Sequence, residues 1–271
     1  MSIVNIAAYK FVPLNDLDTL RDDLKKHCLQ WQLKGTILLS EEGINLMLAG
    51  QQEAINTLQK YLANDIRFAD LYYKTSYSQE FTFNRMLVKI KKEIISMGVP
   101  QIDPANQPAP RISAQQLKQW LDERRDFILL DTRNNYEIRL GTFNNAIDLD
   151  INHFRHFPQA VAQANLPKDK PIVTFCTGGI RCEKAAILLQ QQGFSEVYQL
   201  DNGILEYLAT QGQAHYHGEC FVFDRRVGVN SELAETGTVQ CFACLMPVTL
   251  EEQQSTMYVP DISCPHCFKS S

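Results

Sequence analysis

Cys176-Thr-Gly-Gly-Ile-Arg181 is the stretch of this chain best equipped for chemistry. An apolar, β-branched run over 171–175 precedes it and reads as a buried strand, and residues 183–192 read as a helix. A cysteine at a strand's carboxyl end, followed by a glycine-bearing loop that opens a helix, suits an anion. The glycines let successive backbone N–H groups turn toward one point. The helix N-terminus adds positive potential, and Arg181 adds a full charge. All three favour thiolate over thiol, so Cys176 is the expected nucleophile, with Thr177, Gly178, Gly179, Ile180 and Arg181 forming the loop that stabilises it. The alternative is a structural cysteine before an ordinary turn, against which the two glycines and the arginine weigh. Cys182 falls in the first helical turn and is either structural or a resolving thiol.

A second set of cysteines has different spacing. Cys241-Phe-Ala-Cys244, then nineteen residues, then Cys264-Pro-His-Cys267 is a paired CxxC pattern with zinc spacing. In a short C-terminal stretch with little apolar content, a metal would supply the missing core; two local disulfides or free thiols are the alternatives. Cys220, His215, His217 and His266 are spare candidate ligands. Eight cysteines in a chain without a basic, leader-like N-terminus point to a reducing compartment, hence a cytoplasmic protein with catalytic and metal-binding thiols.

The elements that must position these residues fall into segments. No apolar run approaches about 18 residues, so no transmembrane helix is expected. Over residues 1–95 a strand (3–11), a helix (16–30), a hairpin (35–39 and 44–48 around Glu41-Glu-Gly43), a helix (52–63) and weak strands at 66–73 and 85–90 follow the β-α-β-β-α-β order of a ferredoxin-like α+β domain. Residues 96–110 hold four prolines and read as an extended surface linker. Over 111–213, Ser113-Ala-Gln-Gln116 is a capping box. Strands at 127–130, 147–149, 171–175 and 196–200 alternate with helices, predicting a doubly wound parallel sheet whose ligands lie at the strands' carboxyl ends. Residues 214–271 form the cysteine-rich region. The expected fold is therefore multidomain α/β.

Net charge is −5, so a nucleic-acid partner needs a local basic patch. Arg85, Lys89, Lys91 and Lys92 make a basic strand end that either meets phosphates or guards a solvated edge strand. Arg225 and Arg226, after a strand-like Phe221-Val-Phe, either return to the Cys176 mouth or contact RNA backbone.

Asp131-x-Arg133-x-x-x-Glu137, Gly141-x-Phe143-x-x-Ala146-Ile147, the loop from Cys176 to Arg181, and Asp201-x-Gly203-Ile204 together resemble a rhodanese homology domain. The resemblance implies a six-residue loop that carries sulfane sulfur or reacts as a thiolate, one residue shorter than in related phosphatases. Asp131 and Arg133 read as structural, with a direct substrate role as the alternative. Across its length the chain also resembles the bacterial oxygen-dependent tRNA uridine(34) hydroxylases, through Gly35-Thr-Ile-Leu-Leu, Glu42-Gly-Ile-Asn45, the extended loop Cys176-Thr-Gly-Gly-Ile-Arg-Cys-Glu-Lys184, Phe221-Val-Phe-Asp224 and the paired CxxC motifs. It departs at Leu46 and Met47, where the family usually continues Gly-Thr. The resemblance implies conversion of the wobble uridine to 5-hydroxyuridine on the tRNA anticodon loop, with molecular oxygen as co-substrate and dependence on Cys176. No flavin, haem or non-haem iron signature accompanies it. A persulfide sulfurtransferase and a non-catalytic RNA-binding module are the rival readings.

Overall fold

The two-residue period of the strands places most of the buried aliphatic side chains of the first sheet on one face. The structure is a computed structural model that describes residues 2–269. In chain order, β1 (Ile3–Phe11), α1 (Leu17–Gln30), β2 (Lys34–Ser40), β3 (Gly43–Gly50), α2 (Gln52–Ala63), β4 (Lys74–Ser78) and β5 (Met86–Ile90) form a sheet of order β4-β1-β3-β2-β5. This is the expected β-α-β-β-α-β arrangement with β5 added at one edge, parallel to β2. Val4, Ile6 and Ala8 of β1 and Ile44, Leu46 and Leu48 of β3 pack against Leu20, Leu24, Ile55 and Leu58 of the two helices. With a period of two, Asn5, Ala7, Tyr9, Asn45 and Met47 must point to the opposite face, where they wall a cavity.

The expected strand at 66–73 is absent: the chain turns there and strand structure begins at Lys74. Arg67 explains the change, because it binds Asp16 at 2.5 Å and Asp65 at 2.7 Å while Phe68 fills the core. Residues 96–110 also differ from the expected surface linker. Met97, Ile102 and Ala109 are buried in the core of the next unit. Isolated apolar residues in an extended, proline-rich chain show no periodicity, yet each can still fill a gap.

That unit contains β6 (Arg111–Ile112), α3 (Ala114–Asp122), β7 (Ile128–Asp131), α4 (Asn135–Leu140), β8 (Gly141–Phe143), α5 (Phe157–Gln163), β9 (Ile172–Phe175), α6 (Ile180–Gln191), β10 (Val197–Leu200) and α7 (Gly203–Gln211). Its parallel sheet has order β6-β10-β9-β7. Ile128, Leu130 and Ile172 face α5 and α6, whereas Leu129, Val173 and Phe175 face α3 and α7. The expected strand at 147–149 shrinks to a bridge between Leu130 and Ile147. Ser113 and Gln116 form the capping box of α3.

The remaining strands are short: β11 (Tyr216–Gly218), β12 (Cys220–Phe221), β13 (Gly228–Val229), β14 (Val239–Gln240) and β15 (Pro247–Val248). Pairing of β11 with β8 ties this segment to the parallel-sheet unit. Among the described residues, no helix is long and apolar enough to cross a membrane.

Candidate active site

Cys176 lies at the carboxyl end of β9, fully buried beneath its loop, and belongs to the lining of a cavity of about 800 Å³. The amide of Gly179 donates to Sγ at 3.1 Å. Burial pushes this thiol up, but a hydrogen bond from Cys182, the Arg181 charge and the amides of Arg181 and Gly179 outweigh it and bring the group down to about 5. Cys182 moves the opposite way: burial and the adjacent thiolate hold its proton in place well above the ordinary thiol range. The pair is one donor and one acceptor, which favours a structural role for Cys182 as the thiolate's inner hydrogen-bond partner.

Two glycines allow this geometry. Gly179 has φ 97°, and a Cβ there would stand 2.9 Å from the Tyr9 hydroxyl. Gly203, with φ 70°, leaves room for the Cys176 carbonyl, which a Cβ would approach to 2.4 Å. The first amides of α7 then cap the loop, Ile204 to the Cys176 carbonyl at 2.9 Å and Leu205 to that of Thr177 at 3.1 Å.

The loop's charges are committed elsewhere. Arg181 binds Glu137 through both arms, at 2.5 and 2.7 Å, and both side chains are buried. Its guanidinium therefore acts on Cys176 through space and is not free to grip a substrate. Thr177 turns its hydroxyl to Glu137 and the Phe221 carbonyl. Asp131 and Arg133 form a fully buried pair that also ties down Thr142 and the Gly141 carbonyl, so they brace the fold.

Past the loop, Glu183 and Lys184 are buried and face the N-terminal unit. Glu183 accepts from Tyr9 at 3.0 Å, Arg111 at 2.7 Å and Gln199 at 2.9 Å. Lys184 reaches Glu42 at 2.8 Å and Glu93 at 2.7 Å. The Glu42 hairpin turn, in sequence only a polar turn, is thus half of a clasp that sets one wall of the cavity against the other.

Residues 3–94 match the UPF0176 acylphosphatase-like domain family and residues 113–210 the rhodanese-like domain family. A tRNA uridine(34) hydroxylase from Cupriavidus taiwanensis is 52% identical, covering 98% of this chain and 97% of its own. One from Cupriavidus necator is 51% identical over 100% of this chain and 98% of its own. The rhodanese-like domain of an Anabaena sp. protein aligns with 40% of this chain and 79% of its own at 23% identity, with a TM-score of 0.34. The chain belongs to the tRNA uridine(34) hydroxylase family.

Of the basic residues singled out above as RNA contacts, Lys91 and Arg226 border the cavity of this hydroxylase-family chain. Arg85, Lys89, Lys91 and Lys92 are exposed along and beyond β5, the sheet's edge, so they form a row and not one patch. Arg225 is exposed and binds Asn84 at 3.0 Å. Arg226 is buried against Asp224 and Ser76, which removes it from the RNA-contact candidates. The segment does return to the Cys176 cavity, with Phe223 exposed there and the Arg181 guanidinium 5.8 Å from its ring centre. The departure at Leu46 and Met47 splits by strand parity: Leu46 enters the core and Met47 lines the cavity.

Several cavity residues carry no motif: Tyr9, Tyr72 and Lys74 on one wall, His153 and Arg155 on another. The aromatic-basic runs Tyr72-Tyr-Lys74 and His153-Phe-Arg-His156 were the available signal.

Cys241, Cys244, Cys264 and Cys267 converge as the spacing predicts, their sulfurs all within 4.8 Å of one another. Neighbouring sulfurs stand 3.6–3.9 Å apart, close to the ~3.8 Å edge of a tetrahedron with metal–sulfur bonds of about 2.3 Å. All eight cysteines are free thiols. The four sulfurs could hold a metal ion. The spare candidates stay apart from this cluster: Cys220 packs in a core, His215 binds Asp122, His217 binds Asn144 and His266 lies 3.0 Å from Glu252.

Proposed function

We propose that this chain hydroxylates uridine 34 of tRNA at C5, giving 5-hydroxyuridine, with molecular oxygen as co-substrate and the Cys176 thiolate at the centre of the reaction. The observation that carries this reading is full-length identity near one half to tRNA uridine(34) hydroxylases, with every element of the thiolate loop in place. Neither rival, sulfur transfer or non-catalytic RNA binding, is favoured by those relatives.

The chemistry suits the cavity. C5 of a pyrimidine becomes nucleophilic when a thiolate adds at C6, and Cys176 is the one thiol held well below the ordinary range at the wall of the cavity. The base must leave its stack to reach a buried sulfur, which a single-stranded anticodon loop allows at small cost. Phe223 and Tyr72, both substantially exposed, offer ring faces for a displaced base. Lys91 stands at the cavity wall as a phosphate contact. Zinc on the four cysteines holds the C-terminal region together and takes no part in the reaction. A cytoplasmic location follows from the tRNA substrate.

The test is nucleoside mass spectrometry of total tRNA from a host lacking its own wobble hydroxylases. We expect 5-hydroxyuridine derivatives with the intact gene and none with Cys176→Ala. Their absence with both genes rejects the reading, and sulfur transfer then leads.

A further inference from the structure

Lys74 opens β4 opposite Ala7 of β1, and its side chain crosses the cavity to the thiolate loop. Its Cδ and Cε lie 3.9 and 4.0 Å from the point where a Cβ on Gly178 would stand. The ammonium sits 5.2 Å from the centre of the Tyr9 ring and 5.4 Å from that of Tyr72. Both tyrosine hydroxyls are already donated, to Glu183 and Glu206, so both present ring faces. Among the described residues, no carboxylate lies within ion-pair distance of Lys74. Other cations around the loop are committed: Arg181 to Glu137, Arg111 to Glu183 and Asp201, Lys184 to Glu42 and Glu93. A largely desolvated ammonium without a partner, aimed into a cavity beside a thiolate, awaits negative charge from a ligand.

We propose that Lys74 is a catalytic residue whose ammonium receives the negative charge that moves onto the uracil O4 when Cys176 adds to C6. This rests on the function proposed above. In the step, the Cys176 sulfur donates an electron pair to form the S–C6 bond. The C5=C6 π bond breaks, its pair forms C4=C5, and the former carbonyl pair rests on O4 as an enolate. Lys74 donates a hydrogen bond to that oxygen, leaving C5 electron-rich. Nothing is oxidised or reduced. Reversal after C5 has taken a proton from solvent and lost its original one expels the thiolate and re-forms C5=C6, so the C5 hydrogen exchanges without oxygen.

Charge around Lys74 makes the step sensitive to pH. Burial lowers the group to about 8, opposed by the Cys176 thiolate and by Asp201 and Glu206, with Arg111 adding to the depression. Lys74 is therefore charged below about pH 8 and loses its proton above it, while Cys176 is thiolate above about pH 5.

The experiment incubates full-length protein with substrate tRNA in D₂O without oxygen and reads deuterium at C5 of uridine 34 by mass spectrometry. Wild-type exchange should rise through about pH 5 and fall above about pH 8. Lys74→Met should slow exchange about a hundredfold with tRNA affinity unchanged, and Lys74→Arg should keep most of the rate while abolishing the alkaline fall. The proposal is overturned if Lys74→Met exchanges at the wild-type rate. It is equally overturned if the whole deficit lies in tRNA affinity, which would make Lys74 a phosphate anchor, or if wild-type protein that hydroxylates tRNA in cells catalyses no exchange. Exchange through Lys74 by a protein that leaves no 5-hydroxyuridine in cellular tRNA would sustain this step and reject hydroxylation.

Discussion

Two groups of cysteines in this chain show how differently a protein can arrange thiols for ionisation. At Cys176 the charge is stabilised by the chain itself, through fixed amides, a neighbouring thiol and an arginine held beneath the loop. In the C-terminal cluster the thiols have mostly one another. There Cys241 falls to about 7 because backbone amides outweigh burial, whereas burial and the adjoining sulfurs push Cys264 up to about 12. Four thiolates so close repel unless a dication sits among them. A site that must react sets its anion beside a cavity and stabilises it with dipoles. A site that must hold its shape leaves that work to an ion. Replacing the active thiol should thus remove chemistry and spare the fold, and disturbing the cluster should do the reverse.

The largest expected effect is on the chemistry. Cys176→Ser retains size and loses the anion at neutral pH, so wobble hydroxylation should fall by a factor on the order of 10³ or more while hydrogen-exchange protection across the C-terminal cluster stays unchanged. Next comes metal removal. Chelation, or Cys264→Ser, should abolish hydrogen-exchange protection across the cluster, because structural zinc in such modules contributes roughly 10 kcal/mol or more. The rate at which iodoacetamide alkylates Cys176 should not move. If chelation silences Cys176 as well, the two sites are one cooperative unit and the contrast fails.

A third effect probes the charge under the loop. Arg181→Met leaves Glu137 buried without its partner, which should cost about 3–5 kcal/mol and raise the pH at which Cys176 ionises. Arg181→Lys restores charge but only one arm of the fork, so it should fall between. The ionisation itself is read by alkylation against pH. Cys176 is depressed to about 5, so its alkylation should climb as pH rises through that value and then level off. Cys28 and Cys220, pushed up to about 12 by burial, should stay inert throughout. A Cys176 profile still climbing at pH 8 would show that the loop does not hold a thiolate.

Local chemistry was legible before the fold was seen. The loop, the capping box at Ser113 and the CxxC pairs are short patterns whose geometry depends on neighbours in sequence. Ile55, Leu58 and Leu62 likewise mark their helix by spacing alone. Relations between distant segments were not legible. Nothing local separates Arg181 aimed at a substrate from Arg181 bound to Glu137, or Arg226 on the surface from Arg226 paired inside. Met97, Ile102 and Ala109 read as linker because a residue's burial in an extended chain depends on what lies against it. The run Tyr72-Tyr-Lys74 marks Lys74 only by residue type, since its place beside the loop exists only once two units meet.

That meeting supplies the smallest and most informative effect. Helix α6 buries charged residues because one flank packs on the parallel sheet and another on the N-terminal unit, with Lys184 between Glu42 and Glu93. Each glutamate side chain keeps 23% of its exposure while the lysine keeps 3%, so after Lys184→Met the carboxylates can rehydrate. The loss should be about 1–2 kcal/mol, below that for Arg181, whose partner has no access to water. A double-mutant cycle with Glu42→Gln should return a coupling of at least about 0.5 kcal/mol. Zero coupling would mean that apolar packing alone holds the units together, leaving the Glu-Lys extension of the loop without a positioning role. A positive coupling makes the extension the device that fixes Tyr9 and Lys74 over the thiolate, because β1 and β4 belong to the same sheet as the Glu42 turn.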